Sequence, residues 1–293
     1  MKKAPSNATK FSPLLFVLAA AVLWSTGGLF IKWTNLSGLE LSFGRSLLAA
    51  ITVAIFTRHE GFGLNRVTAA ASVLYAALLL LFVLATKETS AANAIFLQYT
   101  APVYLLILEP LIYKEKFRQR DLIVIVACVI GMSLFFVGKL RPQDVTGNLL
   151  ALASGFCFAC YFLLLRHSKS RAVNRASSVI YGNLLVVLIA APAGLRVFGE
   201  MTRYDAFAVV YLGVVQIGLA YTLFTVAMAR GVRSLDAGIV GYIEPILNPI
   251  WVYLFIGERP TKWALIGGGI IVIAVIVYTL IEARRGRRVV ALE

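Results

Sequence analysis

The chain of 293 residues is 60% hydrophobic and only 14% charged, and its mean hydropathy is +0.84. Because a soluble domain carries about 25% charged residues, this composition excludes a soluble fold and predicts a polytopic membrane protein. The formal net charge of +14 comes from basic residues in short loops between apolar runs. These residues form no patch, so nucleic acid is not an expected partner.

A membrane-spanning helix needs about 20 mostly apolar residues. The chain contains ten such segments, and the connections between them are too short for a soluble domain. The N-terminal lysines resemble those of a signal peptide, but the first apolar run is too long and lacks a convincing cleavage site. We therefore predict ten spans, numbered 1 to 10, at residues 13–33, 38–57, 67–86, 90–112, 121–138, 147–166, 177–195, 206–229, 234–256 and 262–282.

The distribution of lysine and arginine predicts the orientation of the spans. With a cytoplasmic N-terminus, 19 basic residues fall on cytoplasmic segments and eight on the opposite side. This asymmetry follows the positive-inside rule, so both termini are predicted to be cytoplasmic. The basic run at residues 284–288 is interpreted as a stop signal that anchors the chain at the surface of the lipid bilayer.

Two stretches of the chain, residues 93–116 and 236–259, repeat one another at an offset of 143 positions. Span 1 aligns in the same way with span 6. Because each copy holds five spans, an odd number, the second copy is predicted to be inverted in the membrane, as in many secondary transporters. The predicted repeats are residues 1–144 and 145–293, and the matched pairs include Asn93 with Asp236, Tyr99 with Tyr242, Pro102 with Pro245, Glu115 with Glu258, Lys116 with Arg259, and Lys32 with Arg166.

Prolines interrupt both copies of the repeated stretch. A buried proline removes a backbone donor and bends a helix. We therefore predict helix breaks at Pro102 in span 4 and at Pro245 and Pro249 in span 9. Interrupted segments at corresponding places in two halves are the best sequence pointer to a transporter's binding site, so these breaks indicate one.

Several residues carry a resemblance to a known family: Trp24 and Ser25 in span 1, Arg45 in span 2, and the acidic Glu115 and Glu258 that end the repeated stretches. With the segment at residues 85–104, they resemble the drug/metabolite transporter superfamily, in its EamA-like branch. The resemblance covers nearly the whole chain. It implies an all-α membrane protein with ten transmembrane helices, arranged as two inverted five-helix repeats around a central cavity.

Spans 4 and 9 look most similar to those of bacterial amino-acid exporters, including exporters of aromatic amino acids. The resemblance thus implies export of aromatic and other apolar amino acids by alternating access, across the bacterial inner (plasma) membrane. Spans 1, 3, 4, 6, 8 and 9 would line the cavity. Export of other metabolites or cationic drugs, such as nucleosides, sugars or quaternary amines, is the alternative.

Glu244 is the strongest candidate for a functional residue because its carboxylate lies near mid-membrane in span 9. A carboxylate at that depth costs several kcal/mol unless it is paired, protonated or hydrated. It could couple transport to protons, hold a substrate cation, or form a structural pair with Arg45. The first repeat has Ala101 at the matching position, so the two halves are not chemically equivalent.

Polar and aromatic side chains on the lining spans form a second group of candidates. Aromatic faces suit both an ammonium and an apolar side chain, while amides can bind a carboxylate or an ammonium. Ordinary helix packing is the alternative for each. The predicted substrate-binding residues are Trp24, Ser25, Tyr75, Gln98, Tyr99, Tyr161, Gln216, Tyr221, Tyr242, Glu244 and Asn248.

The motifs of other functional classes are missing from the sequence. It holds no P-loop, nucleophile elbow or metal-ligand cluster, so no enzyme activity, metal or cofactor is predicted. His59 and His167 stand alone in loops, which makes a membrane-embedded lipid enzyme a distant alternative, beside a channel. The CxxC pair Cys157 and Cys160 has no second pair and is interpreted as small apolar residues. Proton coupling, exchange and facilitated diffusion all stay open, as does the oligomeric state.

Overall fold

The computed structural model describes residues 13–113, 119–134, 136–137, 142–166, 173–174, 176–197, 199–230, 232, 240–241 and 243–290. Within these ranges the chain is helical and forms no strand. The elements are α1 Pro13–Ser25, α2 Gly27–Trp33, α3 Gly38–Thr57, a 3₁₀ turn Arg58–Glu60, α4 Arg66–Glu88, α5 Ala91–Gln98, α6 Ala101–Tyr113, α7 Gln119–Leu134, α8 Pro142–Arg166, α9 Ser177–Val197, α10 Arg203–Val210, a π-helical stretch Tyr211–Leu219, α11 Ala220–Ala229, α12 Ile243–Ile256 and α13 Lys262–Val290.

Seven helical segments in the described residues are long and apolar enough to cross a membrane. Three shorter apolar helices, Ile123–Leu134, Ile243–Ile256 and Lys262–Tyr278, lie where spans 5, 9 and 10 are predicted. The prediction of an all-α, multi-pass membrane protein is therefore confirmed. Some ends differ, since α8 already begins at Pro142 and α13 continues to Val290.

Two spans are broken in the middle. Span 1 divides at Thr26 into α1 and α2, and span 4 divides at Tyr99 and Thr100 into α5 and α6. Both breaks have the same local feature: a threonine hydroxyl donates to the carbonyl oxygen of the leucine three residues earlier, at 2.6 Å, for Thr26 and for Thr100. Such bonds compete with the helix's own backbone bonds.

The prolines act differently from the prediction. Pro102 stands in the first turn of α6, just after the break, where its missing N–H costs nothing. The breaks predicted at Pro245 and Pro249 are wrong as helix ends, because α12 continues through both residues. The backbone group freed by Pro249 can be satisfied by neighbouring helices, which is how membrane helices tolerate proline.

The helices of the two predicted repeats interlock. Helix α4 packs against α8 and α9, α3 packs against α9, and α7 packs against α13. On the other side of the bundle α1 packs against α11 and α12, while α2 packs against α12 and α5. Helices of both predicted repeats therefore pack into one bundle.

Gly182 on α9 marks a close approach to α4. A Cβ at this position would lie 2.8 Å from the carbonyl oxygen of Ser72 and 2.7 Å from the ring of Tyr75. Because backbone cannot yield easily, we expect Gly182→Ala to destabilise the protein by about 1–3 kcal/mol, as overpacking does. The measurement is the midpoint of thermal unfolding in detergent. Gly269→Ala in α13 is the matched control, since its Cβ meets nothing within 4 Å; equal losses in both variants would contradict the packing argument.

Candidate functional site

Glu244 is held by a tyrosine from the other predicted repeat. The hydroxyl of Tyr99, at the break between α5 and α6, donates to Oε2 of Glu244 at 2.7 Å. It also lies 3.2 Å from the carbonyl oxygen of Gly241. Glu244 is only half-buried, and a carboxylate can accept about four hydrogen bonds, so it retains capacity for a proton or a ligand.

Arg45 does not pair with Glu244. In the described part of the chain the only ion pair joins Lys32 and Glu258. Arg45 is 2% exposed, and its Nε and Nη2 atoms have no hydrogen-bond partner among the described residues. Helix α3 packs against α9 and the π-helical stretch, so the interpretation of Arg45 as the partner of Glu244 is wrong for this structure.

Four of the predicted ring residues lie together as an aromatic cluster, formed by Trp24, Tyr75, Tyr161 and Tyr221. The ring of Tyr75 lies 5.4 Å from that of Tyr161 and 6.2 Å from that of Tyr221. Trp24 lies 6.3 Å from Tyr221, and the hydroxyl oxygens of Tyr161 and Tyr221 are 3.0 Å apart. Tyr75 and Tyr161 are buried, whereas Trp24 and Tyr221 are half-buried, so part of each of the latter two rings is accessible.

The break in span 1 gathers further predicted residues. The indole N–H of Trp251 donates to the hydroxyl oxygen of Ser25 at 2.9 Å. The amide of Gln216, within the π-helical stretch, donates to the carbonyl oxygen of Trp24 at 3.2 Å. Asn248 is buried on α12 beside Gly28. Ser25, Gln216 and Asn248 therefore meet around the broken helix.

The structure gives Gln98 a packing role. Its side-chain amide donates to the hydroxyl of Ser154 at 2.8 Å, and that hydroxyl donates to the carbonyl oxygen of Leu78 at 2.8 Å. This chain of hydrogen bonds joins α5, α8 and α4. Tyr242 and Glu115 lie outside the described residues.

Two further side chains, Trp251 and Phe224, were not predicted but lie against the candidate residues. Trp251 lies seven residues after Glu244 and three after Asn248, so the three share one face of α12. Phe224 lies three residues after Tyr221 and packs 5.4 Å from Trp24. Helical spacing from a predicted residue was the available signal in both cases.

A polar network around Asp205 was also missed. Its carboxylate accepts hydrogen bonds from the hydroxyls of Thr34 and Thr202, both at 2.6 Å, and from the backbone N–H of Asn35 at 2.9 Å. Lys87 donates to the carbonyl oxygen of Thr34 at 2.7 Å. The network ties the start of α10 to the ends of α2 and α4. Its sequence signal was the helix-capping pattern of Thr202 and Asp205.

We expect Asp205→Ala to lower stability by about 3 kcal/mol, because hydrogen bonds to a buried charge contribute about 1.5–3 kcal/mol each and are not additive. The check is the midpoint of thermal unfolding in detergent. Glu200→Ala, an exposed acid in the same connection, is the control and should leave the midpoint unchanged. A midpoint for Asp205→Ala within 1 °C of wild type would contradict a structural role.

Glu258 links three helices near the same end of the bundle. Its Oε2 lies 3.5 Å from Nζ of Lys32, in the last turn of α2. Its Oε1 accepts from the backbone N–H of Ala91, in the first turn of α5, at 2.8 Å. Glu258 itself follows α12. We call these three residues the Glu258 clamp.

Apolar helices that enclose polar groups, with two spans broken where those groups meet, define a membrane transport protein rather than a soluble binding module. The model of the EamA-like transporter family matches the chain twice, at residues 11–137 and 145–280. The chain therefore belongs to the EamA-like transporter family, and the resemblance noted in the sequence is confirmed.

Several curated relatives are named as transporters. The chain is 28% identical over 275 residues to the uncharacterized transporter YwfM of Bacillus subtilis, covering 89% of this chain and 93% of that protein. It is 25% identical over 261 residues to an uncharacterized transporter of Archaeoglobus fulgidus, covering 89% and 94%. It is 28% identical over 202 residues to the threonine/homoserine exporter RhtA of Escherichia coli, covering 66% and 64%.

One solved crystal structure superimposes with a TM-score of 0.65 at 19% sequence identity. The match covers 93% of this chain and 98% of the other. At this identity the likeness shows a common fold.

Proposed function

We propose that this protein is a secondary transporter that exports amino acids by alternating access. Its place is the bacterial inner membrane, with both termini in the cytoplasm. The observation that carries the proposal is the contact between Tyr99 and Glu244, which joins the two predicted repeats at a half-buried carboxylate inside the bundle. The match to a threonine/homoserine exporter supports amino acids as the substrate class.

The residues divide into roles that suit an amino acid. Glu244 carries a proton that is exchanged during the cycle, since an intramembrane carboxylate is suited to proton relay. Trp24 and Tyr221 offer ring surface to the side chain of aromatic and other apolar substrates. The breaks at Thr26 and at Tyr99 give spans 1 and 4 points at which their halves can move separately.

A second candidate is an exporter of organic cations or other metabolites. Aromatic rings together with a carboxylate are also the groups that bind an amine or quaternary ammonium. The ring of Trp24 and the carboxylate of Glu244 both lie on predicted lining spans, and this chemistry favours an organic cation over a sugar.

The test is transport into liposomes that contain the purified protein. Labelled threonine, phenylalanine and leucine are offered with and without a pH gradient, and unlabelled amino acids, nucleosides and quaternary amines compete. We expect amino acids alone to compete and the gradient to accelerate uptake. Competition by quaternary amines with none by amino acids would contradict amino acids as the substrate class and favour the second candidate.

A further inference from the structure

Four buried amide side chains have hydrogen-bonding atoms without a partner among the described residues, and two of them, Asn248 and Gln216, lie beside the break in span 1. Asn248 is 1% exposed, and neither its Nδ2 nor its Oδ1 has a partner among the described residues. Gln216 is 7% exposed, and its Oε1 also lacks a partner in that part of the chain. Unpaired polar groups are unfavourable inside a membrane protein, so these three atoms, which have no partner among the described residues, have the capacity to bind a ligand.

The two amides approach the same place on span 1. A Cβ on Gly28 would collide with Oδ1 of Asn248, and a Cβ on Gly27 would lie 2.9 Å from Nε2 of Gln216. Only glycines at these positions let the amides approach the backbone next to the break at Thr26. Gln216 belongs to the π-helical stretch, a distortion often found at functional sites. Two irregular features, in spans 1 and 8, therefore converge with Asn248 of span 9.

We propose that Asn248 and Gln216 form the subsite for the α-ammonium and α-carboxylate groups of the substrate. The unused atoms comprise one donor, Nδ2 of Asn248, and two acceptors, Oδ1 of Asn248 and Oε1 of Gln216. The donor binds the carboxylate and the acceptors bind the ammonium. Because both amides are neutral, the subsite suits a head group that is itself neutral overall, which is the zwitterion of an α-amino acid.

This inference rests on the proposed function and names what the site recognises. Glu244 lies one helical turn before Asn248 on the same face of α12, so the proton on Glu244 and the substrate head group occupy neighbouring positions. In this structure α2 packs against α12 and covers the amides. The head group reaches them when these helices separate, a movement that alternating access requires.

The test compares ligands that differ only in the head group. Binding to the purified protein is measured by titration calorimetry with L-phenylalanine, its methyl ester, its N-acetyl derivative and phenethylamine, and again with threonine and its matching derivatives. We expect wild type to bind the amino acid at least tenfold more tightly than any derivative that lacks one charge. Asn248→Leu, whose side chain has a similar volume, should bind the amino acid at least tenfold more weakly than wild type does.

A second variant keeps the test valid if Asn248→Leu does not fold. Asn248→Asp adds a negative charge that favours the ammonium and repels the carboxylate. We expect the methyl ester, which is only cationic, to gain affinity relative to the amino acid by at least tenfold. A merely structural asparagine would not produce this change of selectivity.

The outcomes separate the two claims. If wild type binds no amino acid, the proposed function is overturned and the subsite with it. If wild type binds amino acids and both variants keep its affinities and selectivity, the subsite alone is overturned. The unused amide atoms are then satisfied by buried water, which typically makes about three hydrogen bonds to such groups.

Discussion

Glu244→Gln should abolish the acceleration of transport by a pH gradient and lower the gradient-driven rate at least tenfold. The substitution keeps the shape of the side chain and an acceptor for the hydroxyl of Tyr99, but it removes the group that binds and releases a proton. Exchange of labelled for unlabelled substrate should continue, because exchange requires no net proton movement. The two rates are measured on the same proteoliposomes.

Two further variants show whether the position, rather than charge in general, is responsible. Glu200→Gln removes an exposed acid outside the spans and should transport as wild type does. Tyr99→Phe removes the hydrogen bond but keeps the carboxylate that binds the proton, so we expect gradient-driven transport to fall less than in Glu244→Gln. Full gradient-driven transport by Glu244→Gln would contradict a coupling role.

The spans were predictable because hydropathy is a local property and the bilayer fixes the length of a spanning helix. The positions of the breaks were not. A break was predicted at Pro249, yet α12 continues through it, whereas the observed breaks lie at Thr26 and at Tyr99 and Thr100, where both threonine hydroxyls bond to nearby carbonyl groups. Such bonds depend on which way a side chain turns, and composition does not show this.

For the site, the sequence could identify chemical groups more easily than their partners. Glu244 stood out because a carboxylate is costly inside a membrane, and Tyr99 because it recurs in the second repeat. Their hydrogen bond was not foreseen, and a structural pair with Arg45 was one of the roles considered for Glu244. Partner choice is set by the packing of whole helices: α3 lies against α9 and the π-helical stretch, while α12 lies against α1, α2 and α5.

Burial separated side chains that look equivalent in the sequence. Tyr75 and Tyr161 are 5% and 2% exposed, so they form the buried part of the aromatic cluster, beside the more accessible rings of Tyr221 and Trp24. Gln98 is bonded within the bundle through Ser154, whereas Asn248 has two unused atoms among the described residues. The same amide chemistry therefore serves packing at one position and offers binding capacity at the other.

The Glu258 clamp should keep its end of the bundle closed, and Glu258→Gln should open that end more often. The glutamine loses the ion pair with Lys32 and weakens the bond to the N–H of Ala91. The side chains of Lys32 and Glu258 are 19% and 26% exposed, so the ion pair is weak and most of the effect comes from the charged hydrogen bond. A shift of about 1–2 kcal/mol corresponds to roughly 5–30-fold in population.

The measurement is the rate at which a membrane-impermeant maleimide labels Thr26→Cys in cells, with the native cysteines replaced. In the predicted orientation the clamp faces outward, so Glu258→Gln should raise labelling from outside by about 5–30-fold. Glu88→Gln, an exposed acid at the same end, is the matched control. An unchanged rate for Glu258→Gln would contradict the clamp.

A charge exchange separates the two bonds of the clamp. In the double variant Lys32→Glu with Glu258→Lys, the ion pair can form again, but a lysine cannot accept from the N–H of Ala91. If the ion pair holds α2 and the carboxylate holds α5, the double variant restores slow labelling only in part. Full restoration would show that the ion pair alone keeps this end closed. No restoration would show that the bond from Glu258 to the start of α5 keeps it closed. Helix α5 leads to Tyr99 and its contact with Glu244.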